Sequence, residues 1–187
     1  MASKSSDSPN LIWVDCEMTG LDVVNDALVE IAVLVTDSQL NILGEGVDLV
    51  IKTSQEKIDG MNDFVTKMHT DSGLITEIPN GVSLEEAEKQ IMEYVEKYAP
   101  GASKSPLAGN SVYVDRGFIA RDLPTFNSYL HYRTIDVSTI KELARRWYPR
   151  VYFAAPKKTG NHRALGDIQD SIEELDYYRS NIFLPNN

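Results

Sequence analysis

Hydrophobic positions along this chain fall first into strand-like runs and then into helical spacing. Leu11, Ile12, Trp13 and Val14 open an apolar run that continues through Asp15-Cys16-Glu17-Met18, and β-branched runs follow over 27–36 and 46–52. Thr19-Gly20-Leu21-Asp22 reads as a turn after the first strand, and Asn41 and Gly44 lie between the second and third. Such short connections predict an antiparallel three-strand meander, because parallel neighbours need a longer crossover. From about Asp59 the period turns helical. Ser83 and Glu86 make a capping-box signature before an amphipathic helix with Leu84, Ala87, Ile91, Val95 and Tyr98 toward one face, ended by Pro100-Gly101. A short buried strand over 106–110 leads through Ser111 into a helix carrying Asp115, Phe118 and Ile119. Residues 134–137 predict another short strand, followed by a helix from about Ser138 to Trp147 that stops before Pro149. PRVYFAAPKKTGN reads as an irregular loop, and the last helix runs from about His162 to Ser180 with Ala164, Leu165, Ile168, Ile172 and Leu175 inward.

Two carboxylates interrupt the first strand where a structural strand stays apolar. Strand side chains alternate between faces, so Asp15 and Glu17 share one face and Cys16 takes the other, where it reads as a small core residue. Paired like charges repel and lose hydration, a conflict that a divalent cation removes. The apolar flank is too continuous for an edge strand, which makes this a central strand whose C-terminal end meets solvent, a common place for ligands in open α/β sheets. Asp115 is expected near a strand-to-helix junction, and GNHRALGDIQDS adds His162 and Asp167. Hydrolysis of a phosphodiester calls for an activated water and neutralised charge, which two cations about 4 Å apart supply. Oxygen ligands suit Mg²⁺ and Mn²⁺, and His162 titrates in the range that deprotonates water near neutral pH. His162 and Asp167 stand about 140° apart on an ideal helix, so they cooperate only if Gly160-Asn161-His162 belongs to the loop or first turn. Asp170, Glu173 and Glu174 read as solvated helix face. No cysteine–histidine cluster with zinc spacing competes.

At 187 residues, 42% hydrophobic and 25% charged, the chain predicts one domain over 10–187 behind a flexible serine-rich tail over 1–9. The meander followed by strands alternating with helices is an α/β fold with a mixed sheet of ribonuclease-H-like type. The N-terminus lacks the apolar core of a signal peptide, and Glu30 breaks ALVEIAVLV, so the expectation is a soluble, cytoplasmic protein away from membranes. A net charge of −10 argues against a long basic groove following duplex nucleic acid, whereas a very short oligonucleotide needs few phosphate contacts.

From Asn10 to Arg179 the chain resembles the oligoribonucleases, within the DEDDh exonucleases. The resemblance is carried by NLIWVDCEMTGL, VTDSQLNIL, HTDSGL, SPLAGNS, HYRTIDVSTIKELARRWYP, HRALGDI and the downstream DYYR. It implies that Asp15, Glu17, Asp115 and Asp167 bind two metals, that His162 is the general base, and that 5′-mononucleotides are released 3′-to-5′ from very short single-stranded RNA, dinucleotides included. It further implies a cap over the 5′ phosphate at Ser111, Arg133 and Ser138, and a homodimer in which Tyr132 is donated into the neighbouring site. Leu21 and His69 match residues beside the bases and the scissile region; Phe64 stands where many relatives carry tryptophan, keeping a stacking face and losing the indole N–H. Tyr113-Val114 also departs from the smaller or polar residues of many relatives. Read without the resemblance, Leu21 is a turn-flanking apolar residue, His69 an exposed histidine, Arg133 a surface cation and Tyr132 a half-buried aromatic. Two other readings stay open on the sequence: a DEDDh exonuclease of longer ends, disfavoured by the acidic charge and the cap, and a non-catalytic binding protein, disfavoured because all five catalytic residues are present.

Overall fold

Strand β2 (Leu28–Thr36) is buried at every position, so it lies inside a sheet covered on both faces. The computed structural model describes residues 9–156 and 163–183. The tail expected over 1–9, apart from Pro9, falls outside those residues, and so does His162. The sheet order is β3 (Ile42–Val50), β2, β1 (Leu11–Met18), β4 (Leu107–Gly109), β5 (Thr134–Asp136). The first three strands are antiparallel, while β4 and β5 run parallel to β1. The mixed sheet therefore matches the expectation from the sequence.

Alternation along β1 sorts the two cores. Ile12, Val14, Cys16 and Met18 face a layer made of α4 (Leu84–Tyr98), α5 (Tyr113–Asp122) and α6 (Pro124–Tyr129), with Ile91, Val95, Phe118 and Phe126 buried in it. Trp13 faces the other way, onto α7 (Val137–Trp147) and α9 (Ala164–Ile182), among Ala32, Leu34, Val137, Ile168 and Ile172. Each such side chain removed from water contributes about 1.5–3 kcal/mol. The indole N–H of Trp13 donates to Thr36 at 2.9 Å, so its one polar atom is satisfied inside that core. Ser83 caps α4 as expected, its hydroxyl accepting the Glu86 N–H at 3.2 Å.

Three elements differ from the sequence reading. β3 starts at Ile42 and includes Gly44, whose φ is +77° and whose Cβ position is filled by the Tyr98 ring, so this glycine permits a close approach instead of ending a strand. Before α2 (Asp63–Asp71) and α3 (Leu74–Glu77), the helical region already begins with α1 (Gln55–Asp59), capped by Ser54. Pro149 opens the short helix α8 (Pro149–Phe153) where a loop was expected, because proline at a first helical turn lacks only an N–H that has no partner there.

The β2–β3 ladder shifts register between Val33 and Val35. There Tyr94 bridges the gap, accepting the Val35 N–H at 3.0 Å and donating to the Leu43 carbonyl at 2.7 Å. Tyr94→Phe strips an acceptor from a buried N–H and is expected to destabilise the protein by about 1–3 kcal/mol, read as a lower urea midpoint at unchanged slope.

Candidate active site

β1 outruns its parallel neighbour: β4 ends at Gly109 after pairing only with Ile12 and Trp13, leaving the C-terminal half of β1 open on that side. Gly109 sits so close that a Cβ there would lie 2.7 Å from the Val14 carbonyl oxygen, so only glycine lets the chain pass. The chain then turns at Ser111, which has φ +53°, and enters α5. That turn carries Asp115 to the stretch of β1 that β4 leaves unpaired, where its Oδ1 accepts the buried Cys16 N–H at 2.9 Å.

On the opposite face, Asp15 and Glu17 meet Asp167 from the first turn of α9. One oxygen from each of the three carboxylates lies within 4.8 Å of the others. Asp15, Glu17 and Asp167 are thus brought together, whereas Asp115 borders them from across β1. Three converging oxygen donors from separate segments suit a hard divalent cation. Burial, then the negative charges of Glu30, Asp167 and Asp115, push the Glu17 carboxyl up to about 8, with Arg163 opposing. Burial likewise lifts Asp115 to about 6, opposed by the N–H of Cys16. Without a cation to relieve it, the same repulsion favours the protonated form of Glu17.

The remaining candidates fall into those around β5 and those near the end of β1 or on α2. Ser111 and Ser138 are tied together by Asp136, the N-cap of α7: its Oδ1 accepts the N–H of Ser111 at 3.0 Å, the N–H of Ser138 at 2.9 Å and the Ser138 hydroxyl at 2.6 Å. Tyr132 and Arg133 precede β5 at its other end, with the Arg133 guanidinium 5.3 Å from the Tyr132 ring centroid. Tyr132 is 73% exposed, not half-buried, and Arg116 donates to the carbonyls of His131 and Tyr132. Leu21 and Phe64 are three-quarters exposed. His69 is fully buried instead of exposed: Nε2–H donates to the Met18 carbonyl at 2.9 Å, and Nδ1 lies 3.9 Å from Glu17 Oε2.

Glu173 is exposed as expected, but Glu174 is buried, held by Lys141 at 2.9 Å and Asn110 at 3.1 Å. Both partners come from other elements, which no helical pattern reveals. Sequence reasoning passed over Asp136, whose signal was an N-cap aspartate two residues before Ser138, and read Glu30 only as a break in an apolar run, with no role near the site. Asp15 and Asp167 are each half-buried, and neither lacks an interaction partner.

With the geometry in view, likeness to known proteins is direct. Residues 12–175 match the family described as Exonuclease. The oligoribonuclease of Leifsonia xyli subsp. xyli is 58% identical over 180 residues, covering 96% of this chain and 87% of that protein. That of Streptomyces coelicolor is 57% identical over 175 residues, covering 94% and 88%. Among solved structures, the zinc-bound form of an E. coli ExoI–ssDNA complex superposes with a TM-score of 0.71 at 14% identity. The match covers 94% of this chain and 41% of that one, so it speaks for the shared ribonuclease-H-like fold. With a family match across nearly the whole sheet and more than half of all residues shared with proteins it almost spans, the chain belongs to the oligoribonuclease family of exonucleases.

Proposed function

We propose that this chain is a homodimeric, divalent-cation-dependent 3′-to-5′ exoribonuclease that reduces very short single-stranded RNA, dinucleotides above all, to 5′-mononucleotides in the cytoplasm. The observation that carries the reading is the meeting of Asp15, Glu17 and Asp167 at the open end of β1, in a chain of the oligoribonuclease family. Asp15, Glu17, Asp115 and Asp167 hold two cations, Mg²⁺ or Mn²⁺, which when bound neutralise the charge that builds on the phosphate and stabilise the departing oxygen. His162 takes the proton from the attacking water, a role to which an imidazole is suited. Water's oxygen bonds to phosphorus as the bond to the 3′ oxygen of the preceding nucleotide breaks.

Substrate length is set away from the carboxylates. Ser111, Ser138 and Arg133 close around the 5′ phosphate, and Asp136 fixes the two serines relative to each other. Leu21 and Phe64 offer the exposed apolar faces on which bases rest, with His69 beside Glu17 next to the scissile bond. Tyr132 precedes Thr134, which aligns through Leu107 with Ile12, so it lies on the edge of the sheet away from its own Glu17. Its exposure and its position suit a ring offered to the site of a partner copy. Among the described residues no helix is long and apolar enough to cross a membrane, and the activity is assigned to one exonuclease domain over 10–187.

The test is a series of 5′-labelled RNAs from two to about twenty nucleotides, with Mg²⁺, compared by initial rate. Dinucleotides are expected to turn over at least about tenfold faster than the longest member, a ~1.4 kcal/mol preference; equal rates across the series refute the cap. Arg133→Met removes a charged donor from the 5′ phosphate and is expected to lower kcat/KM for a 5′-phosphorylated dinucleotide about 10- to 100-fold, while leaving an unphosphorylated one within about twofold.

A further inference from the structure

Glu30 is the one acidic residue of β2, has no solvent exposure, and stands opposite Glu17 in the β1–β2 ladder. Its Oε1 accepts from Arg163 Nε at 2.8 Å and its Oε2 accepts the N–H of Ala164 at 3.2 Å. The rest of the Arg163 guanidinium forks onto Glu77 of α3, at 3.0 and 3.1 Å. Arg163 is the N-cap residue of α9 and makes no side-chain cap of its own, so the capping acceptor comes from a remote strand. One turn further on, the Asp167 N–H bonds the Arg163 carbonyl at 3.1 Å.

An apolar stripe of Ala164, Ile168, Ile172 and Leu175 already seats α9 on the sheet. Such a stripe fixes which face is buried but resists sliding and rotation only weakly, because the hydrophobic effect has no direction. An ion pair with its carboxylate buried, as Glu30 is beside the partly exposed Arg163, adds little net stability over well-packed apolar residues, so its presence here calls for another reason. The directional bonds from Glu30 and Glu77 to Arg163 and Ala164 supply one: they fix the axial position and rotation of α9 at its first residue. We propose that Glu30, Arg163 and Glu77 form a clamp that registers α9 against β1 and so aims Asp167 at Asp15 and Glu17. These are positioning residues, and the inference rests on the reading of Asp167 as a cation ligand.

The clamp is tested by Mn²⁺ titration calorimetry without substrate, together with kcat, KM for a dinucleotide and melting temperature, in Arg163→Lys and in the double variant Glu30→Gln/Arg163→Met. Arg163→Lys keeps the charge beside Glu30 and loses the fork; the double variant removes both charges yet leaves an acceptor for the Ala164 N–H. Both are expected to bind Mn²⁺ about 10- to 100-fold more weakly, as when outer partners of a metal ligand are removed, with kcat falling and KM changing less than about threefold. The double variant is expected to melt within a few degrees of the parent, about 1 kcal/mol or less, separating aim from stability. Parental Mn²⁺ affinity and kcat in Arg163→Lys, or in a folded double variant, overturn the clamp. Asp167→Asn distinguishes the two ideas: unchanged Mn²⁺ affinity in that variant overturns the ligand reading itself, whereas a loss there without a loss in the clamp variants overturns the clamp alone.

Discussion

Asp15→Asn is expected to lower kcat on a dinucleotide by about a thousandfold or more, roughly 4 kcal/mol of transition-state stabilisation, with Mg²⁺ or Mn²⁺ saturating. Asp15 lies between Val14 and Cys16 on a strand buried to either side, so its carboxylate is held by a rigid element against Glu17 and Asp167. Asparagine preserves volume and one oxygen but lacks the charge that a hard cation requires. The matching measurement is a single-turnover rate with circular dichroism on the same sample. A variant that folds and retains more than a tenth of parental kcat would show that these carboxylates do not hold the reaction's cations. Asp167→Asn is expected to behave alike, because its oxygen belongs to the same cluster.

Much of this site was legible because the chemistry contradicts the local pattern. A charged pair in an apolar strand cannot be explained by packing, so Asp15 and Glu17 stand out from β1 alone, and the capping box at Ser83 specifies its helix with two residues. What could not be read depends on partners distant in sequence. His69 has the polarity of a surface residue, yet it is buried because the last carbonyl of β1, Met18, accepts its Nε2–H. Glu174 sits on a helix beside exposed Glu173, but Lys141 and Asn110 draw it inward. Gly44 carries the usual mark of a turn and instead makes room for Tyr98 within a strand. Glu30 offered the same kind of signal as Asp15 and Glu17, a charge in an apolar run. Its meaning was hidden because its partners, Arg163 and Ala164, come more than a hundred residues later.

Melting of the metal-free protein is expected to become easier as pH rises from about 5 to 8.5, opposite to the usual behaviour of a domain stabilised by paired carboxylates. Glu17 has an ordinary value of 4.5 and is raised to about 8 in the folded protein by burial and by Glu30, Asp167 and Asp115. Between those two values the folded state binds a proton that the unfolded state has released, so this contribution is complete below pH 4.5 and is lost as pH climbs through 8. Asp115, raised to about 6, acts in the same direction at the lower end of the window. Asp22, Asp37 and Glu142 are shifted downward by their hydrogen-bonding partners, so their stabilisation is lost only in more acidic solution and is constant across this range. A loss of a few kcal/mol corresponds to a melting temperature lower by on the order of 10 °C at pH 8.5 than at pH 5. A divalent cation competes with the proton for the same oxygens, so 10 mM Mg²⁺ is expected to raise the melting temperature far more at pH 8.5 than at pH 5. Glu17→Gln is the control: an amide imitates the protonated acid, so its metal-free melting curve is expected to vary less with pH, to exceed the parent's at pH 8.5, and to respond weakly to Mg²⁺. A parent protein more stable at pH 8.5 than at pH 5 without metal, or a Glu17→Gln variant that follows the parental pH curve, would show that the strain at the end of β1 does not arise from Glu17.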